Sequence, residues 1–198
     1  KPLAASMGPM LKEESFHLGT GSNGLRRVIK AGIIPLDMLQ RYFNKWVSTA
    51  HDLFGVDASS SAHWSYVWGV KGRWDERKKL EAGLEVDKEV LNEEARGHYH
   101  TEIVGEVEKL NGYLPEGSKK LVVPHENFYR EIGAFRKQRY TTEGEPFTGS
   151  DEEWAAYLHV TLPTAQDEED LKELFKQEWV ASKPLSARQI ASGIGANA

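Results

Sequence analysis

Apolar positions in the first third of the chain recur at intervals of three and four residues, the period of one helix face. Leu3, Met7, Met10 and Leu11 lead into Glu14 at that spacing, and the run reads as one helix over roughly 2–31. Its glycines interrupt the pattern without ending it. Gly32 ends it, and Pro35 stands where a first-turn proline is tolerated. Leu36, Leu39, Phe43, Trp46, Val47, Ala50, Leu53 and Phe54 then form an apolar stripe that Gly55 closes. Ser59-Ser60-Ser61 offers N-caps for a third helix through about Arg73, carrying Trp64, Val67, Trp68 and Val70. Asp87 caps a fourth, with Val90, Leu91, Ala95, Tyr99, Ile103, Val107 and Leu110 on one face and Asn111-Gly112 as its stop.

After Gly112 the pattern changes. Leu121-Val-Val-Pro124 reads as a short extended piece, 126–132 as a short helix and 136–150 as loop. Ser150 caps a helix over 151–159, Thr164 caps another over 165–178, and the last residues read as a frayed, small and polar tail. The expectation is an all-α protein in two parts: helical residues 1–112, then an irregular, loop-rich extension over 113–198 with short helices.

Composition narrows the function classes. The 198 residues suffice for one domain with a real core. With 25 Lys plus Arg against 30 Asp plus Glu the net charge is −5, a poor balance for general nucleic-acid binding, which needs a cationic surface. No cysteine is present, which excludes disulfides, thiolate metal sites and thiol nucleophiles. There is no apolar run of membrane-spanning length and no signal-peptide layout, so no membrane association is expected and a cytoplasmic setting is the default. The sequence begins with Lys and already reads as helix, which gives the expectation of a chain that starts inside a longer helical protein.

Two overlapping strings carry candidate chemistry. Gly19-Thr-Gly-Ser-Asn-Gly24 spells G-x-G-x-x-G, but a dinucleotide fingerprint needs a strand before it and an acid about 20 residues on. KEESFH precedes it, and Asn44 and Lys45 stand at the second place, so the nucleotide reading fails on context. Glu14-Ser-Phe-His17 is E-x-x-H, which sets a carboxylate and an imidazole one turn apart on one helix face, as metal-binding bundles do. An exposed Glu beside a hydrogen-bonded His explains the same spacing. Glycine costs a helix about 1 kcal/mol against alanine, yet three follow within seven residues of His17. Either close helix packing or the wall of a cavity accounts for them.

The remaining candidates have simpler structural readings. Glu94, His98, His100 and Glu102 read as a solvated helix face, and His51, Asp52 and His63 as hydrogen-bonded structural groups. Trp64, Tyr66, Trp68 and Trp74 read as core and helix-packing surface. Arg26, Arg27, Lys30, Lys71 and Arg73 could meet an anionic ligand, with a solvated face as the plainer alternative.

The runs KEESFHLGTGSNGLRRVIKAG, LQRYFNKWVSTAHDLFG and SSSAHWSYVWGVKGR resemble the C-terminal half of the bacterial aryl-coenzyme A epoxidases, the family of benzoyl-CoA epoxidase and the phenylacetyl-CoA epoxidase large subunit. PHENFYREIGAF and Leu162-Pro-Thr164 are more similar to the benzoyl-CoA branch, and the resemblance covers most of 1–180. It implies a ferritin-like bundle and a di-iron monooxygenase of aromatic catabolism that activates O2 to epoxidise the ring of an aryl-CoA thioester. It also implies Glu14 and His17 as iron ligands, with Gly21 and Gly24 keeping an acyl pocket open. Arg26, Lys30, Lys71 or Arg73 would meet CoA phosphates, and a separate reductase would supply electrons. The family needs three further ligand positions, a lone carboxylate, another E-x-x-H and a third carboxylate, and none has a counterpart here. The remaining ligands are therefore expected outside this chain, on an N-terminal half or a partner subunit, and this chain alone is expected to be inactive. A homodimer is left open. The rival expectation is a metal-free helical subunit that docks onto a catalytic oxygenase subunit.

Overall fold

The computed structural model describes residues 2–68, 76–84, 91–130 and 137–176. Val70, Lys71, Arg73, Trp74, the Asp87 cap, Val90, residues 131–136 and the tail from 177 lie outside the described residues. The chain divides into two compact units, 1–163 and 164–198.

The first unit is built on three long helices, α1 (Pro2–Ala31), α2 (Leu36–Asp52) and α5 (Leu91–Asn111), with shorter α3 (Ser60–Val67), α4 (Glu76–Glu81) and α6 (Asp151–Thr161). The fold class is the all-α, ferritin-like one. The glycine stops act as the sequence predicts: Gly32 has φ +64° and Gly55 φ +71°, left-handed conformations that glycine adopts without steric cost. Glycines 19, 21 and 24 lie within α1, and no strand precedes them. The nucleotide fingerprint therefore lacks its structural context.

A small core of Ile29 from α1, Val107 from α5 and Leu121 joins these elements, with Leu36, Leu39, Phe43 and Ile103 packed against it. The predicted apolar stripe of α2 is only partly the buried one. Met38 and Val47 are buried, but Trp46 is 61% and Leu53 84% exposed. The face that goes inside is polar: Asn44, Ser48 and His51 are all buried, and Gln40 is half-buried above them. These four recur at four, four and three residues, so they share one side of the helix.

Residues 121–130, which are irregular, explain the inversion. An extended backbone without a strand partner must find other hydrogen-bond partners when it is covered. Asn111 Nδ2 donates to the Leu121 carbonyl (2.9 Å), and the Leu121 N–H donates back to Asn111 Oδ1 (2.8 Å). One residue on, Gln40 Nε2 donates to the Val122 carbonyl (2.7 Å), and Gln40 Oε1 accepts from the Val122 N–H (2.8 Å). Two side-chain amides thus stand in for a neighbouring strand. Gln40 Nε2 also donates to Asn44 Oδ1, and Asn44 Nδ2 donates to the Thr161 carbonyl (2.9 Å), tying the end of α6 to α2.

Residues 126–129, predicted as the start of a short helix, form turns instead. Tyr129 takes φ +52°, rare for a bulky residue, while Phe128 is fully buried. Within the predicted loop 136–150 lies a two-stranded hairpin, β1 (Arg139–Tyr140) and β2 (Pro146–Phe147), with Arg139 opposite Phe147. Phe147, Trp154 and Tyr157 stack the hairpin on α6, and the Tyr157 hydroxyl accepts from the Thr142 N–H (2.8 Å). Ser150 caps α6 through a capping box with Glu153. Trp64 and Trp68, expected as core or packing surface, are largely exposed among the described residues and lie against each other at 5.8 Å, one turn apart. No described helix is long and apolar enough to cross a membrane.

The second unit's described part is α7 (Ala165–Phe175), again with a capping box, from Thr164 and Asp167.

Replacing Asn111 with Ala removes both bonds to Leu121 and leaves a half-buried backbone unpaired. The expected loss is about 1–3 kcal/mol, read as a lower urea midpoint at unchanged slope, with Gln40→Ala giving a smaller loss because water can replace its bonds at the exposed Val122.

Candidate functional site

Glu14 and His17 lie on α1 with Glu14 Oε2 3.7 Å from His17 Nδ1. Their side chains are 74% and 63% exposed. Helical spacing turns both donors to one side, and exposure leaves both open to a shared ion. A carboxylate and an imidazole are the donor types that suit iron in an oxygen- and nitrogen-rich site. They supply one of each. Among the described residues no group of three or more His, Asp and Glu stands ready to hold a metal.

The residues that follow on α1 open a groove of about 340 Å³ against α5. Leu18, Gly21 and Leu25 form its α1 wall, Phe43 comes from α2, and Ile103 and Val107 from α5. Arg26 lines the same groove, as does Tyr113, and the Tyr113 ring draws in two cations. Lys30 Nζ sits 4.5 Å from the ring centroid and the Arg26 guanidinium 6.0 Å. Glu106 and Lys109 also line the groove and pair with each other at 2.6 Å, so apolar walls with Arg26 and Lys30 at the Tyr113 end suit an elongated ligand that has an apolar body and an anionic head.

Of the sequence candidates, the structure brings Gly21 and Arg26 together in the groove and sets Lys30 beside it through Tyr113. Gly24 lies one turn on from Gly21 and outside the groove wall, and Lys71 and Arg73 lie outside the described residues. A Cβ built on Gly19, Gly21 or Gly24 meets no atom within 4 Å among the described residues. Close packing among the described residues therefore does not account for the three glycines.

A second polar centre escaped the sequence reading. His51 from α2 is fully buried, and its Nε2 lies 3.4 Å from His100 Nδ1 on α5. His100 had read as part of a solvated face, and His98 indeed remains exposed, but His100 turns inward. Arg130 Nε binds Asp52 Oδ1 at 3.2 Å, and Arg96 Nε lies 3.4 Å from Glu126 Oε2. Burial first, and then the charges of His100, Arg96, Arg130 and His125, push the His51 pKa down to about 4. A three-residue offset from Ser48 marks His51 as part of α2's polar face, but no sequence signal pairs it with His100, 49 residues away.

No family model matches the chain. Its helices and single two-stranded sheet fit the all-α, ferritin-like class. Benzoyl-CoA oxygenase component B of Aromatoleum evansii is 31% identical to it, over an alignment that takes in 84% of this chain and 43% of that protein. The chain is a relative of the benzoyl-CoA epoxidase family, and it spans less than half the length of the relative it matches.

Alanine at Gly19, Gly21 or Gly24 meets open space and removes the backbone cost of glycine. Each single substitution is expected to stabilise the chain by about 0.5–1 kcal/mol, checked by thermal denaturation. A loss of stability at any of the three would show a contact that the described residues do not contain.

Proposed function

We propose that this chain is the ligand-bearing C-terminal part of a di-iron, aryl-CoA epoxidising oxygenase. The reading is supported by one observation above others: Glu14 and His17 share an open face of α1 that leads directly into the groove at Gly21. Its kinship with an oxygenase component supports the reaction class.

In this reading Glu14 offers a carboxylate and His17 an imidazole to iron, and the ions' other ligands come from outside this chain, on an N-terminal half or a partner subunit. Bound iron would supply the activation of O2 for epoxidation of the aryl ring. The chain's own groove would hold the acyl end against Leu18, Leu25 and Phe43, keep water from it, and hold it near the Glu14–His17 face. Arg26 and Lys30 would meet the negative charges of the CoA moiety. With no cysteine and no nucleotide site in this chain, electrons would come from a separate reductase.

Iron measured in the purified assembly, this chain together with the polypeptide that carries the other ligands, tests the reading. Stoichiometric iron is expected, with loss of at least half of it in Glu14→Ala and in His17→Ala while the two polypeptides still associate. Background iron in the assembly, or iron unchanged by both substitutions, overturns the reading in favour of a metal-free helical subunit.

A further inference from the structure

The imidazoles of His51 and His100 meet where three parts of the first unit converge: α2, α5 and the segment 121–130. Their facing nitrogens, at 3.4 Å, satisfy each other only while one donates and the other accepts. We propose that this pair is an acid-opened latch, whose protonation releases residues 121–130 from α2 and α5.

Charged and titratable groups face the pair from each side. Asp52 belongs to α2, and Arg96 and Tyr99 belong to α5, the Tyr99 ring standing edge-on to His51 at 5.6 Å. His125, Glu126 and Arg130 come from the segment itself, and Glu143 lines a pocket of about 350 Å³ that His100 and His125 share. Each carboxylate nearest the pair is already engaged: Asp52 with Arg130, Glu126 with Arg96, and Glu143 with the Thr142 hydroxyl. A proton arriving on His51 therefore meets two guanidinium groups and a facing ring nitrogen. With both imidazoles protonated, two N–H donors would point at each other, the His51 one from a fully buried ring.

The segment is held by parts that can open together. Arg130 and Phe128 are both buried, Arg130 near enough to bear on the His51 charge, and the His125 N–H donates to the Thr142 carbonyl at 2.8 Å. Leu121 and Val122 hang on the two amide clips.

The direction of the pH effect follows from linkage. His51 in the closed state has its pKa below the ordinary 6.5, so the closed state holds fewer protons than the open one. Closure is fully favoured above pH 6.5 and is lost as pH falls toward 4. From the His51 shift alone the opening constant rises ~20-fold between pH 7 and pH 5.

Backbone amide exchange on the whole chain, corrected for the intrinsic pH dependence of exchange, tests the latch. Val122 and His125 amides are expected to lose about twentyfold of their protection between pH 7 and pH 5, while the Leu162 amide at the end of α6 keeps its own. His51→Gln, which cannot take up a proton, is expected to flatten the response. Unchanged protection in the natural chain, or an undiminished response in His51→Gln, overturns the proposal. Should His51→Gln fail to fold, NMR titration of the imidazoles decides: a His51 midpoint well below 6.5 supports the latch, and one near 6.5 with the amides still protected refutes it.

Discussion

The course of residues 121–130 depends on one requirement: a covered, irregular backbone must have its N–H and C=O groups satisfied. Residues 121–130 run against α2 and the end of α5 without a strand to pair with. The solution is a helix whose inward face is polar. Gln40 and Asn111 complete the hydrogen bonds of two successive residues, and Asn44 extends the same line to the Thr161 carbonyl. Leaving the buried Leu121 peptide groups without a partner costs more than one such bond returns, so Asn111 cannot be exchanged for an apolar residue of similar size without loosening the segment it holds.

That requirement also explains where the apolar surface went. A helix has one face to give to its neighbours, and on α2 the polar one takes much of it. Trp46 and Leu53 are left outside, while the apolar contacts concentrate near Leu36, Leu39 and Phe43, where α2 meets Ile29 and Val107. The result is a small core flanked by a large hydrogen-bonded seam. Stability in such an arrangement rests on directional bonds at named atoms, and two of them depend on the protonation state of an imidazole: the His51–His100 contact and the Asn127 N–H donated to His125 Nδ1.

Helices and their ends were legible because they are written locally. Gly32, Gly55, Ser150 and Thr164 act through their own backbone or side chain within three residues, and each performs the role its residue type predicts. The hairpin at 139–147 was not legible, since strands of two residues show no alternation and take their order from Trp154 and Tyr157 on α6. The inward turn of α2's polar face was hidden for a related reason: hydrophobic periodicity reports which face is apolar, and only the segment arriving 82 residues later makes the polar face a buried one as well. At the candidate site the sequence pointed to Glu14, His17 and Gly21, all local to one helix. It could not show the groove, which needs Phe43 and Ile103 from elsewhere, or Tyr113 gathering Arg26 and Lys30.

The two ends of α1 differ in what holds them. Near its C-terminus Ile29 is buried and Tyr113 carries Lys30, so that end is fixed to the core. From residue 7 to 20 every side chain is exposed among the described residues, including Leu11, Phe16 and Leu18. The same helix contains four glycines and an internal proline at position 9, at about 1 kcal/mol per glycine and roughly 3 for proline against alanine. A helix with that composition gains its order mainly by burying its apolar face. The stretch that carries Glu14 and His17 is thus the part of α1 with the least burial to hold it in order. On the proposed reading, one covering surface would supply both the missing iron ligands and the burial that keeps these two donors one turn apart, so metal binding and docking would be a single thermodynamic event.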